Sequence, residues 1–432
     1  EWTPAIEGCE LNDDPLNPVC SACKRRVAEE GDQVPIRWIH RDERYREKLA
    51  TPDVTIADLI GDIDPIKAAT ERRSYSDEDV IHFGIVPRTN RGIFAINELP
   101  DLQPRIQVGL LNILEERDLQ IRGFPVRIPL DILLVFTANP EDYTNRGNII
   151  TPLKDRISSQ ILTHYPDDVK TAAKITAQEA WLARDGEPSV EIPDLFRELI
   201  EEIAFAARGS EFVDQSSGVS ARMAISAIEV LASNLERRAL RNHETKVFPR
   251  LCDLPATLPA ITGKVEMVYE GEQQGSEVVA KKLIGAAVRK HFDARFPAPD
   301  AGRPTQRRRE EIEENPGLEE AGAATARRAR PAPEKIHPLY EPIVEWFSGG
   351  NRLTVSDETP FAEHVKALES VPGLRKAVEE RFAPASPEEL AIGMELVLEG
   401  LVLHLKIARE DLDSKVSYTE MLKFNLLKSR TN

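Results

Sequence analysis

Two short apolar runs, residues 93–96 and 132–136, stand out in a chain whose later hydrophobic positions mostly recur at helical spacing. Each is too short for a helix and too continuous for a strand with one solvated face, so both are expected as buried parallel strands. Each ends in polar residues, Asn97 and Glu98 on the first, Thr137 and Asn139 on the second. Between them, residues 103–116 place Ile106, Leu110, Ile113 and Leu114 on one helical face. Residues 119–129 follow as two alternating arms around Gly123-Phe124, a hairpin pattern. Upstream, residues 34–39 alternate as a strand, residues 54–60 open another element ended by Gly61, and residues 70–80 read as a polar, exposed insertion. Residues 160–165 are expected as a further strand closed by Pro166.

The period changes at Asp167. Residues 167–184 and 194–207 are amphipathic, residues 217–241 continue the pattern behind a possible cap at Ser216-Ser217-Gly218, and residues 254–295 are mostly helical. Residues 297–335 break it with six prolines, the Arg307-Arg308-Arg309 cluster, a glutamate run and an Ala/Gly stretch, the composition of a linker. Helical periodicity returns over residues 336–427, clearest at 390–407. The expected organisation is an α/β core over 1–166, a helical lid over 167–296, a linker over 297–335 and a helical C-terminal domain over 336–432.

Composition narrows the class. Hydrophobic residues make up 41% of the 432 and charged residues 30%, the balance of a globular chain, and no run approaches the length of a membrane span. A net charge of −17 argues against nucleic acid as the main partner. Four cysteines in a chain this long indicate a reducing cytoplasm, not a disulfide scaffold. Three of them, Cys9, Cys20 and Cys23, fall in a turn-rich opening stretch, the last two as Cys20-Ser21-Ala22-Cys23. A CxxC supplies half of a structural zinc site, which wants four ligands. With His40 as only a distant fourth donor, reduced thiols are favoured over zinc.

The polar strand ends carry the candidate chemistry. In an open α/β sheet, ligands bind beyond the carboxyl ends of neighbouring strands. A carboxylate there can activate or orient water beside a nucleotide's metal, the part given to Glu98. Asn97 stands where an aspartate would hold Mg²⁺, and its amide can meet the ion only through a bound water, without the charge a hard cation prefers. The same two residues could instead end a strand and cap the next helix. Asn139 could orient a water or a γ-phosphate, or form the turn before Pro140. Arg156 suits an arginine finger acting across a subunit interface, or an ion pair with Asp155 or another neighbour. Arg222 could reach phosphate from the helical region, or remain solvated. No GxxxxGK[ST] phosphate loop occurs: Gly263-Lys264 is followed by Val265 and lacks the upstream glycine.

Together these features resemble an AAA+ ATPase, and within that family the magnesium-chelatase I-subunit and MoxR-like branch. The likeness rests on strand-Asn97-Glu98, helix, hairpin, strand-Thr137-Ala138-Asn139-Pro140, Leu153-Lys154-Asp155-Arg156 and Gly218-Val219-Ser220-Ala221-Arg222. Cys9, Asn12-Asp13-Asp14-Pro15, Cys20 to Arg26, Ile60-Gly61-Asp62-Ile63-Asp64 and Gly84 to Gly92 extend it on the chelatase side. It is good over residues 8–240 and fades after about 300. The resemblance implies a P-loop-type parallel sheet, here without its Walker A loop, since no phosphate-loop motif occurs; a chain cut just downstream of that loop and starting at Glu1, not Met, is the expectation. It implies Walker B at Asn97 and Glu98, sensor 1 at Asn139, the trans-acting finger at Arg156 and sensor 2 at Arg222. It also implies ATP and Mg²⁺ as cofactors, a cytoplasmic hexameric ring, a partner protein with a von Willebrand A domain, and no membrane association. ATP hydrolysis is expected of the full-length protein and not of residues 1–432 alone. Asn97 leaves a nucleotide-gated scaffold with weak hydrolysis as the alternative to a remodelling motor.

Overall fold

The chain begins with β1 (Trp2–Ile6), which pairs antiparallel with β2 (Ile36–His40), Trp2 opposite His40. Between them lies α1 (Ser21–Glu30), with Cys20 as its N-cap. The computed structural model describes residues 1–70, 78–120, 127–139, 147–184, 186, 188–215, 217–300, 336–381, 384–412 and 415–421. It divides into two compact units, Glu1–Thr163 and His164–Asn432.

In the first unit, β3 (Tyr45–Leu49), the single-turn helix α2 (Ile56–Leu59), β4 (Gly61–Ile63), α3 (Pro65–Thr70), β5 (Ile81–Phe83) and β6 (Gly92–Asn97) follow in order. β4 and β5 form a small antiparallel pair. Gly61 is required there: its φ is +119°, and a Cβ would lie 2.4 Å from the His82 carbonyl oxygen. Next come α4 (Pro104–Gly109), α5 (Leu111–Glu116), β7 (Asp118–Gln120), β8 (Arg127–Pro129), β9 (Ile132–Phe136) and α6 (Thr151–Arg156). The expected single helix over 103–116 is thus two, broken where Leu110 N–H donates to Gln107 O in a tighter turn. β7 and β8 form the expected hairpin, Leu119 opposite Ile128; the tip at Gly123-Phe124 lies outside the described residues.

The two apolar runs are neighbours. β3, β6 and β9 make a parallel sheet in that order, with Tyr45 opposite Ile93 and Ile93 opposite Leu133. Phe94 and Ile96 turn into a core with Leu99, Leu102, Ile106, Leu110 and Leu153. The expectation of burial on both faces fails. Because strand side chains alternate, Ile93, Leu133 and Val135 point the other way, and Leu133 is 59% and Val135 41% exposed. The strand expected at 160–165 is also absent: residues 157–166 have no regular structure, and Ile161 is 88% exposed. An extended segment becomes a strand only with a hydrogen-bonded neighbour, and among the described residues β9 pairs with β6 alone. The opposite edge, β3, was not anticipated. Its Tyr45-Arg46-Glu47-Lys48-Leu49 run is too charged to read as sheet, yet charge is what an edge strand tolerates.

The second unit holds α7 (Val169–Glu179), β10 (Ser189–Val190), α8 (Asp194–Arg208), α9 (Arg222–Asn242), β11 (Lys246–Val247), α10 (Leu258–Thr262), α11 (Tyr269–Gln274) and α12 (Ser276–Arg295). Then come α13 (Glu341–Ser348), β12 (Leu353–Ser356), α14 (Phe361–Glu369), α15 (Leu374–Glu379), α16 (Pro387–Leu403), β13 (Ala408–Leu412) and β14 (Lys415–Thr419). The helices expected before and after the proline-rich stretch share one core: Phe196, Leu231, Phe292, Tyr340 and Leu398 belong to a single buried cluster. Gly400 permits the contact between α16 and α12, since a Cβ there would fall 2.2 Å from the Phe292 ring. The C-terminal segment is not purely helical, because β12, β14 and β13 form an antiparallel sheet in that order. Most of the expected linker, residues 301–335, lies outside the described residues.

Candidate functional site

The parallel register delivers the two polar strand ends to one edge. Asn97 closes β6, and Thr137 follows β9 directly. The strands stay zipped past their ends: Thr137 N–H donates to Ile96 O at 3.0 Å, and Leu99 N–H donates to Thr137 O at 2.9 Å. The Thr137 hydroxyl lies between the two predicted acidic-motif residues. It donates to Asn97 Oδ1 at 3.3 Å and accepts from Glu98 N–H at 3.2 Å. Asn139 Nδ2 reaches Glu98 Oε1 at 3.5 Å, a long contact at the limit of hydrogen bonding. Asn97, Glu98 and Asn139 are therefore brought together, with Asn139 exposed and the other two half-buried.

Glu98 takes up a left-handed backbone conformation, φ 57° and ψ 51°, uncommon for any residue but glycine, asparagine or aspartate. This single residue turns the chain out of β6 and into Leu99–Asp101, so that Leu99 is fully buried while the Glu98 side chain stays at the strand end.

Arg156 closes α6 and is engaged within its own chain. Its Nε donates to Glu115 Oε2 at 2.6 Å and its Nη1 to Pro152 O at 3.0 Å. The neighbour that pairs with it is thus Glu115 of α5, not Asp155. Arg222 begins α9 in the second unit and is exposed. That helix starts later than the sequence suggested: Ala221 is its N-cap residue, and Ser216 lies outside the described residues. Upstream, Val219 N–H donates to Tyr165 Oη at 3.0 Å, and a Cβ at Gly218 would strike the same oxygen at 2.6 Å.

A Mg²⁺ ion keeps several waters and binds through one or two carboxylates plus substrate phosphates. Glu98 with Asn97 beside it fits that modest requirement: one charged oxygen donor and one neutral amide at the end of a sheet.

Among the described residues, two further groups of titratable side chains cluster. In the first unit, Cys9, Asp13, Cys20 and Cys23 each place a ligand-type atom within 4.8 Å of the others. His40, the fourth donor considered from sequence, is not among them; its ring lies over Trp2 and its Nδ1 faces Asp42 at 3.0 Å. Asp13 was missed because Asn12-Asp13-Asp14-Pro15 reads simply as a turn. Hydrogen bonds from Cys20 and Cys23 hold the Cys9 pKa down to about 3, and burial raises that of Asp13. In the second unit, Cys252, His364 and Glu395 form a buried group. Beside it, Arg238 Nη1 spans both Asp253 oxygens at 2.6 and 2.7 Å, and Glu395 Oε2 accepts from Leu251 N–H at 2.6 Å. Burial pushes Glu395 up to about 7; burial, then Arg250 and Arg238, push His364 down to about 2. Helical periodicity gives no hint of this cluster, because its members are spread over more than a hundred residues.

Comparison with known proteins concerns mainly the first unit. Residues 36–157 match the family model described as AAA domain (dynein-related subfamily). A stretch of 114 residues is 32% identical to the hydrogenase transcriptional regulatory protein HoxA of Cupriavidus necator, covering 24% of each chain. The chain thus spans about a quarter of the length of that curated relative. Among solved structures, a putative ATPase from Cytophaga hutchinsonii is 17% identical, with 56% of this chain and 76% of that one covered at a TM-score of 0.23. The magnesium chelatase BchI–BchD complex gives 16% identity, 63% and 83% coverage and a TM-score of 0.31. NtrX from Brucella abortus gives 17%, 44% and 41%, and 0.30. No helix among the described residues is long and apolar enough to cross a membrane. With β3, β6 and β9 parallel inside the matched stretch, residues 36–157 carry an AAA domain, and the α/β core is of the AAA+ type.

Proposed function

We propose that this chain belongs to an ATP-driven remodelling subunit of the magnesium-chelatase I-subunit or MoxR-like kind. The observation that carries the reading is the meeting of Asn97, Glu98, Thr137 and Asn139 at the carboxyl edge of two parallel strands, inside the segment matched by the AAA-domain model. In this reading Glu98 takes the proton of the attacking water or orients it, and Asn139 fixes the Glu98 side chain and the water. Asn97 would hold Mg²⁺ through a bound water; the ion supplies neutralisation of phosphate charge. Arg156 would leave Glu115 to complete the site of the next subunit in a ring, a hexamer in this proposal, and Arg222 would meet the nucleotide of its own subunit. A partner protein, with a von Willebrand A domain as one form it could take, would receive the work.

The reading also needs a phosphate cradle, which no stretch of residues 1–432 supplies by sequence; it would come from polypeptide outside them. The test is ATP turnover by the full-length gene product. Turnover lost in both Glu98→Gln and Arg156→Ala supports the motor. Turnover near zero and unchanged by Glu98→Gln sinks it and leaves the second reading, a nucleotide-gated scaffold, which the neutral amide of Asn97 in place of a carboxylate favours.

A further inference from the structure

Three sulfurs and a carboxylate converge at the start of α1. Cys9 Sγ, Cys20 Sγ, Cys23 Sγ and a carboxylate oxygen of Asp13 all lie within 4.8 Å of one another. All three thiols are free. Cys20, Cys23 and Asp13 are buried, Asp13 to 1% exposure, and Cys9 is half-buried. The two oxygens of Asp13 have different surroundings. Oδ2 accepts two backbone hydrogen bonds, from Val19 N–H at 3.0 Å and Cys20 N–H at 2.9 Å. Oδ1 is buried with no hydrogen-bond partner. Buried polar atoms are nearly always satisfied, so an orphaned carboxylate oxygen beside three thiols marks a place for a cation.

We propose that Cys9, Asp13, Cys20 and Cys23 form a structural zinc site. Zinc prefers four tetrahedral donors, and bonds of about 2.3 Å to sulfur set neighbouring ligand atoms roughly 3.8 Å apart, inside the observed spread. The ligand set is mostly sulfur, which selects zinc over the oxygen-seeking Mg²⁺ and Ca²⁺. Local geometry already suits thiolates: Cys23 N–H donates to Cys20 Sγ at 3.3 Å across the Cys-x-x-Cys turn, and Cys20 caps α1, where helix N–H groups favour negative charge. Four protein donors leave no open position for substrate, so the metal is structural and not catalytic. On binding, any thiol still protonated releases its proton to solvent, and no redox change is needed.

The site ties the N-terminal segment to the nucleotide-side sheet. Asn12 Nδ2 donates to Arg88 O at 3.2 Å, and Asn90 Nδ2 donates to Leu11 O at 2.8 Å. Asn90 Oδ1 in turn accepts from Asp131 N–H at 2.8 Å, just before β9. Arg91 Nη1 donates to Pro4 O at 2.6 Å and to Asn12 O at 3.2 Å. The loop bearing Cys9 and Asp13 therefore braces the entry of both β6 and β9, whose far ends carry Glu98 and Asn139. The metal would hold that brace together where the short segment has few apolar residues of its own.

The test uses the chain of residues 1–432 purified under reducing conditions. Elemental analysis is expected to find one zinc per chain. Metal-free protein titrated with Co²⁺ should show the visible bands of a tetrahedral ion and the charge-transfer absorption of thiolate ligands. Zinc should protect three thiols from a thiol-modifying reagent. Asp13→Ala should keep the charge-transfer band while weakening zinc at least about 10-fold, as loss of one donor requires. The double variant Cys20→Ser/Cys23→Ser should bind none; because it could fail to fold, the wild-type Co²⁺ spectrum and thiol protection decide independently. Metal-free protein whose three thiols react equally fast with and without added zinc overturns the proposal. So does a Cys20–Cys23 disulfide found by mass spectrometry in protein never exposed to oxidant.

Discussion

Replacing Glu395 by glutamine tests the buried cluster of the second unit most sharply. Glu395 lies on α16, its Oε2 accepting from Leu251 N–H and its Oε1 3.4 Å from His364 Nε2 without hydrogen-bond geometry. Burial raises its pKa from 4.5 to about 7. The folded state therefore holds a proton that the unfolded state has lost, so the favourable contribution is full below pH 4.5 and lost as pH rises towards 7. At 1.36 kcal/mol per pKa unit, the loss amounts to about 3 kcal/mol. His364 works in the opposite sense. Its pKa falls from 6.5 to about 2, so its contribution is present above pH 6.5 and declines as pH falls. Between pH 4.5 and 6.5 the two slopes cancel. Glutamine mimics the protonated acid and keeps the carbonyl that receives Leu251 N–H, so Glu395→Gln removes only the glutamate's slope. The variant should match wild type near pH 4.5 and exceed it by about 3 kcal/mol at pH 8. Hydrogen exchange of α16 amides at pH 5, 6, 7 and 8, corrected for intrinsic rates, measures this in the full chain without assuming that both units unfold together. A pH-independent difference, or a variant less stable at pH 8, would refute the reasoning.

Three other outcomes follow from packing and pairing. Arg238→Ala removes the bidentate guanidinium from Asp253, which keeps only Arg250 N–H and Asn234 Nδ2 as hydrogen-bond donors, in a pair whose side chains are 2% and 0% exposed, and should cost about 3–5 kcal/mol by urea denaturation; a cost below about 1 kcal/mol would mean that these remaining donors and the nearby Arg250 suffice. Gly400→Ala drives a methyl into the Phe292 ring and should destabilise by roughly 1–3 kcal/mol, visible as early loss of α12 protection in hydrogen exchange. Residues 1–432 should not bind ATP–Mg²⁺ tightly in calorimetry; a sub-micromolar constant would show that the phosphate cradle is contained in them after all.

The sequence discloses elements where local period decides and fails where a distant neighbour decides. Residues 93–96 and 132–136 are legible as parallel strands because their apolar runs are short and bounded, and the hairpin at 119–129 is legible from alternation. The polar ends Asn97, Glu98 and Asn139 follow from those strands, so their meeting is legible in the sequence. β3 escapes notice because its charges mask the alternation. Residues 160–165 look like a strand but lack a hydrogen-bonded neighbour among the described residues. Asp13 and the Cys252–His364–Glu395 group are invisible for a different reason: their significance lies in burial without partners, which only the fold creates.

The left-handed backbone at Glu98 has a consequence for which substitutions this position can accept. Glycine would make the same turn free of steric cost, whereas an ordinary L-residue gives up about 1–2 kcal/mol there. A drift towards glycine would therefore steepen the fold's stability while removing the carboxylate. The position is one at which stability and a carboxylate compete, and Glu98→Gly should yield a firmer protein that has lost whatever the acid does.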